Sequence, residues 1–159
     1  MNDDVFEDLL EHVLGPAFRL AMTMLNDRAA AEDAVQEAAV KAWRNRSRFR
    51  PGAELRPWFL AIVANECRTA RRSRWWRVLR FPEVSASRRP ARLEERLDLD
   101  AALARLAPQH LLVLSLYYHL DLPIAEVAGV LGCSEGAARQ RLHRALVALR
   151  PAMVLEADA

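Results

Sequence analysis

A chain of 159 residues, 52% of them apolar, has room for one domain or two small ones and enough apolar surface to bury real cores. No stretch approaches the ~20 apolar residues of a membrane-spanning helix, so membrane insertion is not expected, and the opening MNDDVFEDLLEH is acidic and helically patterned, the reverse of a signal peptide. The net charge of +2 conceals a division: residues 1–43 hold nine acids and three bases, residues 44–92 fourteen bases and three acids, and residues 93–159 six bases and nine acids. So basic a segment between two acidic ones marks a polyanion-binding surface rather than a generally basic protein. Of the 23 basic residues only Lys41 is lysine. Arginine pairs bidentately with phosphate and stacks on bases, so the bias fits nucleic acid, although a G+C-rich genome produces the same bias.

Helical spacing dominates from the start. Phe6, Leu9, Leu10, Val13 and Leu14 define a first helix, and Gly15-Pro16 interrupts it, with Pro16 placed to open the next. Phe18, Ala21, Met22 and Leu25 carry that second pattern to a turn at Asn26-Asp27. A long helix follows, roughly Ala29 to Arg44. On it, residues 33, 36, 37, 40 and 44 share one face at about 100° per residue, while Val35, Ala38, Ala39 and Ala42 face the other way. Asp33, Gln36 and Glu37 are therefore displayed together, clear of the core.

The loop NRSRFRPGAELRP alternates Arg46, Arg48 and Arg50 around Phe49 and carries Pro51-Gly52 and Pro57 as punctuation. Trp58 opens a helix with Phe59, Ile62, Val63, Cys67 and Ala70 inward, and this helix runs into RTARRSRWWRVLR, where six arginines surround Trp75 and Trp76. On a helix Arg68, Arg71, Arg72, Arg74, Arg77 and Arg80 point nearly all round the axis. A membrane-surface helix needs one clean apolar face, which is missing here. FPEVSASRRPAR, with two prolines and no apolar period, reads as a flexible linker over 81–92.

Helices resume near Leu93, and Leu97, Leu103 and Leu106 lead to Ala107-Pro108 and a leucine-rich helix beyond it. A short helix over Ile124–Leu131 then ends at Gly132, and Ser134 is placed to cap the next, with Leu142, Ala145, Leu146 and Leu149 inward. Two helices joined by a tight glycine-containing turn make a helix-turn-helix. Its second helix shows Glu135, Arg139, Gln140, Arg141 and Arg144 outward; arginine and glutamine are side chains that read guanine and adenine edges. The expected fold is all-α, two small helical domains on a flexible linker.

The four histidines, His12, His110, His119 and His143, are scattered without metal-ligand spacing, and no P-loop or nucleophile constellation appears, so neither an enzyme nor a cofactor is expected. Cys67 and Cys133 lack CxxC spacing and read as small buried hydrophobes or free thiols of a reducing compartment, which points to the cytoplasm.

AEDAVQEAAVKAWRNRSRFR, followed by LRPWFLAIVANECRTARR and then LGCSEGAARQRLHRAL, resembles a bacterial RNA polymerase sigma factor of the extracytoplasmic-function type, in the right order over nearly the whole chain. The resemblance implies a first domain over 1–80 that docks on core polymerase and recognises and melts the minus-ten element. It implies a second over 93–159 that reads the minus-35 element. Neither would catalyse a reaction. Core docking falls on Asp33, Gln36 and Glu37. Recognition of an extruded minus-ten base falls on the loop with Arg46, Arg48, Phe49 and Arg50, and further contacts on Trp58, Asn65, Arg68, Arg71 and Arg72. Strand separation needs phosphate contacts and surfaces on which unstacked bases rest, and Phe49 is the expected platform. Trp58 is either platform or core, and at least one of Trp75 and Trp76 is expected to pack against the first domain. Minus-35 reading falls on Ser134, Glu135, Arg139, Gln140, Arg141 and Arg144. Core polymerase and promoter DNA are the implied partners, with an anti-sigma protein a candidate third.

Four positions depart from the family's pattern. Ala39 replaces a large residue, which thins the first core. Pro123 replaces a capping serine or threonine, with Asp121 as a substitute cap. Tyr117 and Ala137 stand where arginine and threonine are frequent, implying a weaker or altered minus-35 grip. The rival function is a free-standing helix-turn-helix regulator; it would normally need a two-fold dimer surface, and no dedicated dimerisation segment is evident.

Overall fold

In a computed structural model of the chain, the backbone is described for residues 2–80 and 94–157 and side chains for residues 2–74 and 99–150. The expected linker over 81–92 lies outside the described residues, as do the side chains of Trp75 and Trp76. All regular structure among the described residues is helical: α1 Asp3–Leu25, α2 Arg28–Arg44, α3 Leu55–Arg80, α4 Glu94–Arg105, α5 Pro108–Leu114, α6 Ile124–Leu131 and α7 Glu135–Ala157. Helices α1, α2 and α3 pack on one another, and α4, α5 and α6 each pack on α7.

The break expected at Gly15-Pro16 does not occur, because α1 runs through it. Phe6, Val13, Ala17, Leu20 and Met24 form one continuous buried stripe across the proline. A proline inside a helix costs about 3 kcal/mol. Burying Phe6 and Val13, at about 1.5–3 kcal/mol each, offsets that only if the helix continues in line. On α2, Ala31, Ala34, Ala38 and Ala42 are buried, a stripe of small residues that lets α1 and α3 approach closely. Ala39 is half-buried beside it.

Asn26 ends α1 in the left-handed region (φ 50°) with its N–H on the Met22 carbonyl at 2.8 Å, and the Asp27 carboxylate caps α2 by accepting from the Ala30 N–H at 3.0 Å. Helix α3 starts at Leu55, three residues before the expected Trp58. Pro57 falls in the first turn, where a missing N–H costs nothing, so it admits the helix rather than delaying it.

In the second unit Pro108 opens α5, and the backbone then widens into a π turn over Ser115–His119. The buried Ser115 hydroxyl donates back to the Leu111 carbonyl at 2.6 Å. Asp121 closes this turn in the left-handed region (φ 53°) and does not cap α6 as expected. The N-cap of α6 is Pro123, two residues after Asp121, and its extended backbone starts the helix without a side-chain cap, the Pro123 carbonyl accepting from the Glu126 and Val127 N–H groups. Helix α6 spans the expected residues and stops at Gly132, whose φ of 66° suits glycine. The Ser134 hydroxyl accepts from the Ala137 N–H at 3.1 Å and caps α7.

The two units touch. Helix α3 packs on α6 and α1 on α5. Arg56, in the first turn of α3, is paired with Glu126 of α6, and Pro57 lies so near Gly129 that a Cβ there would stand 3.3 Å from the proline Cβ.

Candidate polymerase and nucleic-acid interfaces

Three surfaces carry the expected site residues. On α2, Asp33, Gln36 and Glu37 are exposed together, and among the described residues no hydrogen bond or salt bridge holds any of them. Val40, 43% exposed, places an apolar side chain on the same face, ahead of exposed Arg44. Next to it Lys41 donates to Glu66 of α3, and that hydrogen bond, with the Glu66 and Glu37 charges, raises its pKa against a smaller opposing effect of desolvation. The α2 surface thus presents acidic, polar and apolar side chains together on a helix whose other face is anchored by buried alanines.

The loop before α3 divides its residues between surface and core. Arg48 and Arg50 are exposed. The Arg46 guanidinium is engaged within the fold: Nε donates to Asp3 at 2.8 Å, Nη1 to the Trp43 carbonyl at 2.9 Å, and its centre lies 4.1 Å above the Trp43 ring. Phe49 is not the free platform expected. The 3-10 turn over Arg46–Arg48 swings it inward, where it is only 8% exposed. Its ring lies 5.3 Å from Trp58 and 6.4 Å from Phe6, whose ring is in turn 6.1 Å from Trp43. These four large rings pack on one another, Trp58 among them and half-buried.

The arginines of α3 also divide. Asn65, Arg68 and Arg72 are exposed along one face, with Asn65 Oδ1 accepting from Arg68 at 3.0 Å. Arg71 turns inward and donates to the Met24 carbonyl at 3.1 Å; Arg74 donates to the Leu25 carbonyl at 2.6 Å and lies 3.7 Å from Asp27. Helix α1 has no basic residue in its last turn, so these two guanidinium groups satisfy its terminal carbonyls and its negative dipole end from another helix. Burial, and then the Arg74 charge, pulls the Arg71 pKa below its usual value. Between the units these arginines form one wall of a cleft of about 1380 Å³, faced by Leu99, Leu103, Leu111 and Tyr118.

On α7, Glu135, Arg139, Gln140, Arg141, His143 and Arg144 are exposed, whereas Ala138 and Ala145 are buried and Leu142, Leu146 and Leu149 half-buried. Arg139 lies 3.6 Å from Glu135, a loose surface pair that leaves the guanidinium available. Tyr117 packs edge-on to Tyr118 at 5.0 Å and borders a shallow recess beside Arg139, and Ala137 takes part in the cap of α7. Sequence reasoning passed over Arg56. Its carboxylate partner is 70 residues away on another helix, so no local pattern marks it.

An exposed acidic and apolar stripe on one helical unit and an arginine-rich second helix of a helix-turn-helix on the other are features of an all-helical protein suited to a protein partner and to DNA. Known families agree. A model of Sigma-70 region 2 matches residues 9–77 and one of Sigma-70, region 4 matches residues 102–151. The ECF RNA polymerase sigma factor SigL of Mycobacterium tuberculosis is 32% identical over 141 residues, covering 84% of this chain and 80% of that protein. The RNA polymerase sigma factor CarQ of Myxococcus xanthus is 31% identical, covering 92% and 88%. Among solved structures, the sigma factor RpoE of Bartonella quintana in complex with the anti-sigma factor NepR superposes with a TM-score of 0.72 at 27% identity, covering 93% of this chain and 96% of that one. CnrH in complex with the cytosolic domain of CnrY gives 0.68 at 26%, covering 99% and 92%. The chain belongs to the extracytoplasmic-function RNA polymerase sigma factors.

Proposed function

We propose that this sigma factor docks on core polymerase through Asp33, Gln36 and Glu37, with Val40 as the apolar centre of the contact, and addresses promoter DNA through two separate surfaces. Arg48, Arg50, Asn65, Arg68 and Arg72 contact the minus-ten region. Ser134, Glu135, Arg139, Gln140, Arg141 and Arg144 address the minus-35 element from α7. The functional units are 1–80 and 93–159, joined by a linker over 81–92. The chain contributes recognition, the polymerase contributes catalysis, and the cytoplasm is where they meet. Among the described residues no helix is long and apolar enough to cross a membrane. An anti-sigma protein is the third partner of this reading, supported by the Bartonella quintana relative above, whose structure is that of a complex with the anti-sigma factor NepR.

The observation that carries the docking assignment is the α2 stripe: charged and apolar side chains exposed side by side on a helix whose opposite face is buried alanine, with no hydrogen bond or salt bridge to Asp33, Gln36 or Glu37 among the described residues. The test is co-purification with core polymerase and run-off transcription. Asp33→Arg combined with Glu37→Arg should abolish core binding while the circular dichroism melt stays that of the wild type. A folded double variant with undiminished core affinity overturns the docking face. Binding of operator duplex as a core-independent dimer would instead make the chain a free-standing regulator, a role its whole-length likeness to sigma factors does not favour.

A further inference from the structure

Resting on that reading, the contact between the two units carries more than packing. Arg56 stands in the first turn of α3, six residues beyond the exposed Arg50 and on the helix that carries Asn65, Arg68 and Arg72. Its guanidinium is gripped on two sides by one carboxylate: Nε lies 2.7 Å from Glu126 Oε2 and Nη2 2.5 Å from Oε1. A fork facing a pair of oxygens is the geometry arginine uses for phosphate. The positive end of α3 adds to the attraction for an anion. The Glu126 side chain is 18% exposed and the Arg56 side chain 40%, so the pair is shielded on the α6 side and open on the other. Beside it, Pro57 and Gly129 bring the α3 and α6 backbones together without a side chain between them. Farther along α3, the exposed Arg68 and Arg72 border the cleft that Leu99, Leu103 and Leu111 face from the other unit.

Distance makes this arrangement incompatible with promoter reading. Elements at minus ten and minus 35 are roughly 25 base pairs apart, about 85 Å of duplex at ~3.4 Å per step. Two units joined by a hydrogen-bonded ion pair cannot sit on both. We propose that Arg56 is a further phosphate-contacting residue of the minus-ten surface, and that Glu126 occupies it as an internal phosphate mimic, holding the free sigma factor closed until DNA or polymerase displaces α6. Glu126 is carried by the first helix of the helix-turn-helix, so the module that reads one promoter element masks the reader of the other.

Two independent perturbations separate charge from shape. Glu126→Ala removes the mimic. Gly129→Leu leaves every charge in place but drives a side chain into Pro57. The full-length proteins are compared by small-angle scattering and by fluorescence anisotropy with a labelled single-stranded 20-mer of random sequence. Both variants should show a larger radius of gyration than the wild type and bind the oligonucleotide about three- to tenfold more tightly, the factor expected when a mostly closed population is released. Arg56→Ala should also open the chain but gain less, and adding Glu126→Ala to it should bring nothing further. If Glu126→Ala tightens binding equally in the Arg56→Ala background, the carboxylate acts by general repulsion and Arg56 is no phosphate contact. Opening without tighter binding refutes the masking, and unchanged radius and affinity in Glu126→Ala refute the latch. Thermal melts of each variant exclude misfolding; should Gly129→Leu fail to fold, the Glu126 and Arg56 variants decide alone. Core-polymerase binding, measured on the same proteins, reports on the sigma-factor reading separately: a chain that binds core and shows none of these effects keeps its function and loses its latch.

Discussion

Replacing Phe49 with alanine distinguishes a core ring from a base-stacking platform. The side chain is 8% exposed and packed between Trp58 at 5.3 Å and Phe6 at 6.4 Å, so truncation leaves a hole lined by rings that cannot collapse onto one another. A buried phenylalanine-to-alanine change costs about 3–5 kcal/mol. In a unit the size of α1–α3, each kcal/mol lowers the melting temperature by about 4–8 °C, so the transition of this unit should fall by at least about 12 °C. Phe49→Leu keeps most of the volume and should cost under about 1.5 kcal/mol. The assay is a circular dichroism melt of the free protein, paired with permanganate reactivity of unpaired thymines in the polymerase complex. The core reading requires that Phe49→Ala lower the melting temperature in the absence of DNA. A variant that melts with the wild type, yet loses open complex on linear template and recovers it on a pre-melted bubble, refutes the packing argument and restores the ring to stacking, worth roughly 1–3 kcal/mol.

Other outcomes follow from the same geometry. Arg68→Ala and Arg72→Ala should each shallow the salt dependence of promoter binding by about one phosphate of counterion release, whereas Arg71→Ala should leave that slope alone and cost about 1.5–3 kcal/mol of stability by stranding the Met24 carbonyl. A salt titration beside a urea melt separates the two. Alanine at Arg139, Gln140 or Arg141 should cost about 1–3 kcal/mol at individual base pairs, read by binding to a panel of single-substitution promoters; a uniform loss would make them phosphate anchors. Burial pushes the Cys67 thiol up to about 12 from 9.0, so the folded state holds its proton more tightly than the unfolded chain. Stability from this residue is therefore full below pH 9 and lost between 9 and 12, and native Cys67 should resist iodoacetamide at pH 8; prompt labelling would show the site to be open.

Much of the architecture was legible because it rests on local rules. The α2 face follows from helical period alone, and the Gly132 stop and Ser134 cap are chemistry confined to a few residues. What was misread depends on contacts distant in sequence. Pro16 looked like a break because its cost is local, while the stripe that overrides it is held by two other helices. Phe49 looked free between arginines because Phe6, 43 residues away, supplies the wall it packs on. Arg71 and Arg72 are neighbours with the same side chain, and only the end of α1 decides which one faces inward. Asp121 is a good capping residue in the wrong backbone conformation, which the preceding π turn imposes.

The guanidinium clamp at the end of α1 also bears on how the chain could drift. Arg68 and Arg72 face solvent and cleft, where phosphate attraction needs only a positive charge, so lysine would serve at either position. Arg71 and Arg74 reach peptide carbonyls of another helix, and Arg74 also approaches Asp27, which draws on several donors at fixed angles. In a lineage whose base composition moved towards A+T, arginine codons would give way to lysine codons on the outer positions first, and the two inner ones would lag behind. Lysine is thus disfavoured by stereochemistry on the inside of α3, whereas on the outside the contacts of the fold leave the choice between the two bases open.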